Sequence, residues 1–117
     1  MESMISPFEN DPFPLVAKAF KNLYPGKEYT AYWEPEIHAD EPGDQKPLGI
    51  TDFGEDGTVY VFVDPKIPVT DAVEIFAHEL AHVAVGVDHG HDDAWEFAFD
   101  AIFNEYHRII SEFIEEE

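Results

Sequence analysis

Four of the six histidines fall in one short stretch, His78 to His91, which reads HELAHVAVGVDHGH. Within it, His78-Glu79-Leu80-Ala81-His82 sets two imidazoles four residues apart, on a segment whose apolar spacing predicts a helix. Residues four apart share a helix face, so both rings can reach a single ion. Glu79 projects about 100° around the axis from His78, which places it beside such an ion rather than on it. From there its carboxylate can take a proton from water that the ion has acidified. The chain contains no cysteine, so any metal must be held by His, Asp or Glu.

A catalytic zinc takes three protein ligands and leaves one position for water. His89 and His91 are the candidates for the third. After Gly86 the chain leaves the helix, and five residues can span up to ~16 Å, enough to fold back to the ion. His91 is preferred because it directly precedes a second predicted helix, whose aromatic stripe (Trp95, Phe99) would fix its position. His89 sits between Asp88 and Gly90 in a looser stretch. If both bound, the result would be a closed four-histidine site of the structural kind. Glu105, on the later helix, is a further candidate for a carboxylate ligand. His38 and His107 read as surface histidines. For an oxyanion partner the sequence offers His89, Tyr106 and His107 without choosing among them, and Asp71, Asp88, Asp92, Asp93 and Asp100 are conceivable acceptors for the ring N–H groups.

The elements around this stretch follow from punctuation and periodicity. Residues 1–12 carry Pro7 and Pro12 and read as an extended arm. Leu15 to Tyr24 has a helical stripe, ended by Pro25-Gly26. Glu28 to Trp33 is aromatic-rich and reads as a strand, followed by a long acidic loop to Pro47. Leu48–Phe53 and Thr58–Val63 flank a Gly54–Gly57 turn as a hairpin. The second of these strands, TVYVFV, is apolar at nearly every position, which predicts cover on both faces. Thr70 is the expected N-cap of the histidine helix, Asp71 to Val85, with Gly86 as its stop. A last helix is expected from Asp92 or Asp93 onward, with a stripe of Trp95, Phe99, Ile102, Tyr106, Ile109, Ile110 and Phe113. The expected fold class is α+β. A small antiparallel or mixed three-stranded sheet packs on the central HExxH helix and the long C-terminal helix, in a single domain over residues 1–117.

Composition bounds the partners. Six basic residues against 26 acidic ones give a formal charge of −20, which excludes an ordinary nucleic-acid binder because phosphates need a Lys/Arg footprint. An acidic surface favours a basic partner. Residues 1–10 lack the charge and apolar run of a secretory signal, and no apolar run approaches a membrane span. A cytoplasmic protein without membrane contact is expected.

HELAH followed by GHDDAW resembles the minimal zincin metallopeptidases, the SprT-like, WLM-type and small phage-encoded groups. Their pattern is HExxH, a short loop, then a His four residues before an aromatic on the next helix; His91 and Trp95 match that spacing. The metzincin pattern is not present, since Val85 and Asp88 stand where it needs Gly and His, and no Met follows residue 4. The resemblance extends more loosely over residues 48–105. It implies Zn2+ on His78, His82 and His91, Glu79 as general base, and an extended peptide substrate along an edge of the sheet. The expected activity is therefore hydrolysis of peptide bonds. Two rival readings stand beside it: a metal-free acidic decoy that occupies a basic partner, and a zinc site that serves only structure.

Overall fold

The computed structural model describes residues 11–35, 48–87 and 90–115. Residues 1–10 of the expected N-terminal arm, most of the acidic loop with His38, and residues 88–89 with His89 lie outside the described residues; Asp11 and Pro12, also expected in the arm, belong to the start of α1. Three helices and three strands form an α+β fold: α1 (Pro12–Leu23), β1 (Thr30–Trp33), β2 (Gly49–Phe53), β3 (Val59–Val63), α2 (Val69–Val85) and α3 (Asp93–Glu115).

Helix α1 starts earlier than its apolar stripe suggests. The Asp11 side chain accepts the Phe13 N–H (3.0 Å) and Pro12 occupies the first helical position, where its missing N–H costs nothing. Its buried face is Leu15, Val16, Ala19 and Phe20. The sheet is mixed, in the order β1-β3-β2, with β3 central, parallel to β1 and antiparallel to β2. The β2–β3 turn closes through Gly54 N–H to Thr58 O (2.8 Å). Gly57 adopts φ +88°, a conformation that side chains disfavour.

Helix α2 lies between the layers and touches every other element except β1. Its core-facing residues Ala72, Val73, Phe76, Ala77, Leu80, Ala81 and Val83 pack with Val61 and Val63 of the sheet, Val16 and Phe20 of α1, and Ala98 and Ile102 of α3. A helix apolar on so much of its circumference has to be enclosed.

Two expectations are corrected. Strand β3 is covered on one face only: Val61 and Val63 are buried against the helices, while Tyr60 and Phe62 are half-buried. On that outer face Tyr32, Phe62 and Tyr60 stack side by side, with ring centroids 5.8 Å and 6.4 Å apart. The apolar run thus reflects a cross-strand aromatic row rather than a second covering layer. Nor is Thr70 the N-cap of α2. The helix begins at Val69, with Pro68 at the cap position and no capping side chain. Proline fixes the chain's entry angle there, and the Ala72 N–H reaches the Pro68 carbonyl (2.9 Å).

Candidate metal centre

The site is built on the C-terminal half of α2 and the start of α3. His78 and His82 share one face of α2, half-buried. Gly86 ends the helix at φ +94°, its N–H bonded to the His82 carbonyl (3.0 Å). A positive φ at this point turns the chain off the helix axis, and glycine does so without a Cβ penalty. Five residues later His91 stands against both α2 histidines. Its Nε2 lies 3.0 Å from His78 Nε2 and 3.2 Å from His82 Nε2.

Three Nε2 atoms facing one another make a poor hydrogen-bond network, because neutral imidazole carries one N–H and one lone pair. They make a good donor set. The three ligand atoms lie within 4.8 Å of one another, and the two shorter separations approach the roughly 3.3 Å that a tetrahedral ion imposes at about 2.0–2.1 Å from each nitrogen. Electrostatics favour the neutral, ligating form. Burial, with the neighbouring rings of His91 and His82, pushes His78 down to about 4. Burial and His91 lower His82 as well.

Trp95 holds the cluster together. The Asp92 carboxylate accepts the Trp95 main-chain N–H (2.9 Å) and so, of the two aspartates expected at the start of α3, is the one that caps it. The indole ring then lies against all three imidazoles, with centroids 4.6 Å from His91, 4.7 Å from His78 and 5.7 Å from His82. Its Nε1–H donates to the His78 carbonyl (3.2 Å). Behind it Phe99 stacks nearly parallel at 5.4 Å. Rigid rings in mutual contact set the angle at which His91 approaches α2.

Glu79, next to His78 around the helix, faces strand β2 of the sheet. It is 6% exposed, the one charged side chain buried among the described residues. The Thr51 hydroxyl donates to Glu79 Oε1 (2.7 Å) and lies 3.1 Å from the main-chain carbonyl of Glu79. Burial pushes the carboxyl upward, partly offset by the Thr51 hydrogen bond. Strand β2 comes this close because residue 49 is glycine. A Cβ there would stand 2.5 Å from Ile75 Cγ2 and 2.9 Å from Glu79 Oε2. Neither Thr51 nor Gly49 was singled out by the sequence. The only signal available was a threonine at an alternating position of a strand, which carries no register to a helix 28 residues on.

The other candidates fall elsewhere. Glu105 is engaged by Arg108 (2.8 Å through each oxygen) and by Asn22 of α1 (3.0 Å), which hold its carboxyl down to about 2. It is not in the histidine cluster. His107 packs on Phe103 and Tyr106 of its own helix. Asp71 and Asp100 are exposed, and neither hydrogen-bonds a histidine of the cluster among the described residues.

Edge strand β2 runs beside Glu79. The bonds Asp64 N–H to Leu48 O (3.0 Å) and Gly54 N–H to Thr58 O (2.8 Å) fix the ladder phase. Main-chain groups of Leu48, Ile50 and Asp52 therefore face β3, and those of Gly49, Thr51 and Phe53 face the other way. No strand pairs on that outer side among the described residues.

No family model, curated protein or solved structure matches the chain. The likeness to minimal zincins rests on the residues themselves.

Proposed function

We propose that this chain is a zinc-dependent peptidase, with His78, His82 and His91 as the metal ligands and Glu79 as general base. One observation carries the reading. Three imidazoles converge from α2 and the start of α3, two of them (His78 and His82) lowered by burial toward the neutral form, and the residue after the first is a carboxylate buried on the sheet side. The donor set suits Zn2+, which when bound supplies a Lewis acid that acidifies water and polarises a carbonyl.

The protein's own groups do the rest. Glu79 accepts the proton of the attacking water as the water oxygen bonds to the scissile carbonyl carbon. It passes that proton to the departing amine nitrogen as the C–N bond breaks, leaving a carboxylic acid and an amine; the water's second proton then moves from the acid to the amine, giving a carboxylate and an ammonium. Burial favours this role, because a carboxyl raised from its ordinary value is a better proton acceptor and then a competent donor. Trp95 orients His91 and His78, and the substrate is an extended peptide. The outward main-chain groups of Gly49, Thr51 and Phe53 on β2 are the nearest edge to Glu79 that such a peptide could pair with. The charge of −20 favours peptides bearing basic residues. A cytoplasmic location belongs to the same proposal. Among the described residues no helix is long and apolar enough to cross a membrane.

The test is Glu79→Gln assayed on a library of quenched fluorogenic peptides rich in Lys and Arg. The variant should bind zinc as the parent does and lose at least about 100-fold in kcat, the usual worth of a general base. A variant that loses its zinc would make Glu79 a ligand and overturn the assignment. A parent protein that binds zinc yet cleaves no peptide would overturn the peptidase reading.

A further inference from the structure

We infer that Thr51 is a positioning residue that fixes the Glu79 carboxylate, with Gly49 supplying the space. The inference rests on the role proposed for Glu79 above and concerns how that carboxylate is aimed.

A general base acts through one oxygen lone pair directed at one proton, and a free Glu side chain spreads its carboxylate over many rotamers. Here each oxygen has its own surroundings on β2. Oε1 accepts from the Thr51 hydroxyl at 2.7 Å, and Oε2 lies over Gly49, where a Cβ would come within 2.9 Å. The same hydroxyl reaches the Glu79 main-chain carbonyl at 3.1 Å, so it references the carboxylate to the helix backbone as well as to the strand. One lone-pair-bearing oxygen is thus tied down and the other is left to meet water. Thr51 also turns its main-chain N–H and C=O to the outer edge of β2. A peptide pairing on that edge would be in register with the residue that aims the base. Threonine suits the position because its methyl packs in a strand while its hydroxyl makes the bond, which valine cannot do and serine can.

The experiment compares Thr51→Val with Thr51→Ser in zinc-loaded full-length protein, using the best-cleaved fluorogenic peptide. A group that orients an active-site residue through a hydrogen bond is commonly worth about 10–100-fold. Thr51→Val should lose that much in kcat, with KM and zinc stoichiometry unchanged, and Thr51→Ser should recover most of it. An unaltered kcat in Thr51→Val, or equal losses in the Val and Ser variants, would overturn the inference. A second readout needs no turnover. With carboxyl-13C-labelled glutamate, the Glu79 resonance (identified by its loss in Glu79→Gln) should move in Thr51→Val and stay near its parent position in Thr51→Ser. If it stays put in both, the clamp does not exist in solution. If it moves as expected while the parent cleaves nothing, the clamp stands and the peptidase reading alone fails.

Discussion

The two flanks of α2 are built on different principles. On the flank facing α3, His78 and His82 are half-buried and meet only rings: His91, Trp95 and, behind them, Phe99. On the flank facing the sheet, Glu79 is almost wholly buried and meets a hydroxyl and a glycine. The first flank holds the candidate metal ligands, which bind an ion only as neutral rings, and burial with the neighbouring histidines lowers His78 and His82 toward that form. The second holds the proposed general base, which keeps a polar partner for its charged state while burial opposes that state. The two flanks share one turn of α2, so the candidate metal ligands and the proposed acid–base group stand on neighbouring residues.

The largest expected effect breaks the cradle. His91→Ala removes one of three donors and also a ring packed on Trp95 and both α2 histidines, so zinc affinity should fall by well over the 10–100-fold typical of merely orienting partners. His89→Ala should cost much less. Competition with a chromophoric chelator measures both. Equal losses would favour a closed four-histidine site and a structural ion. A parent protein that purifies without metal and takes up none would restore the acidic-decoy reading.

A smaller effect tests the sheet flank. Gly49→Ala puts a Cβ 2.5 Å from Ile75 Cγ2, on a branched side chain with little room to swing, so β2 and α2 must part by some tenths of an ångström. Overpacking of this kind costs about 1–3 kcal/mol, which calorimetry should register as a lower Tm. Zinc affinity should change little, because Gly49 touches Glu79 and not the histidines. Loss of zinc binding in this variant would show that the flanks are not independent.

The same contrast explains what the sequence discloses. The cradle is local: His78 and His82 are four apart, Gly86 is a visible break, and His91 and Trp95 keep helical spacing of their own. Period and punctuation expose all of it. The three strands, the hairpin and the three helices are legible for the same reason; that the sheet is mixed rather than antiparallel is not, since the direction of β1 is set only by its pairing with β3. The clamp is not, since Thr51 and Glu79 meet only after the β2–β3 register and the docking of α2 are settled. Cover on β3 is not legible because an apolar run cannot distinguish a buried face from an aromatic row, and the Tyr32 that completes the row comes from a strand 30 positions away in register. Thr70 points to the wrong start of α2 because this good capping residue goes unused, while Pro68 sets the entry.

The smallest effect carries a sign that separates the two flanks, and it is read in metal-free protein. His78 titrates at about 4 in the fold, below its ordinary value of 6.5, and His82 is shifted the same way. The unfolded chain therefore takes up these protons first as pH falls. The stability that depends on neutral histidines is present above about pH 6.5 and is lost on the way down to about 4. Glu79 works in the opposite sense. Burial raises it above its ordinary 4.5, so its contribution is present below that pH and is lost as pH rises through the raised value. Glu79→Gln removes the second dependence and leaves the first. The variant's amide can still meet the Thr51 hydroxyl, and it carries no charge to desolvate. Compared with the parent, it should be more stable at pH 7 and should lose that advantage toward pH 4, where Glu79 is itself neutral. Both proteins should weaken between pH 6.5 and 4 through the histidines. The remaining carboxylates of this acidic chain titrate alike in the two proteins and cancel in the difference. Bound zinc would shrink the gap at pH 7, because a nearby cation stabilises the ionised carboxylate. Calorimetric scans of both proteins over this range, with chelator and with zinc, measure the difference. A metal-free Glu79→Gln that is the less stable of the pair at pH 7 would show the Thr51 bond outweighing the cost of burying the charge, and the sheet flank would then be a staple rather than a tuned site.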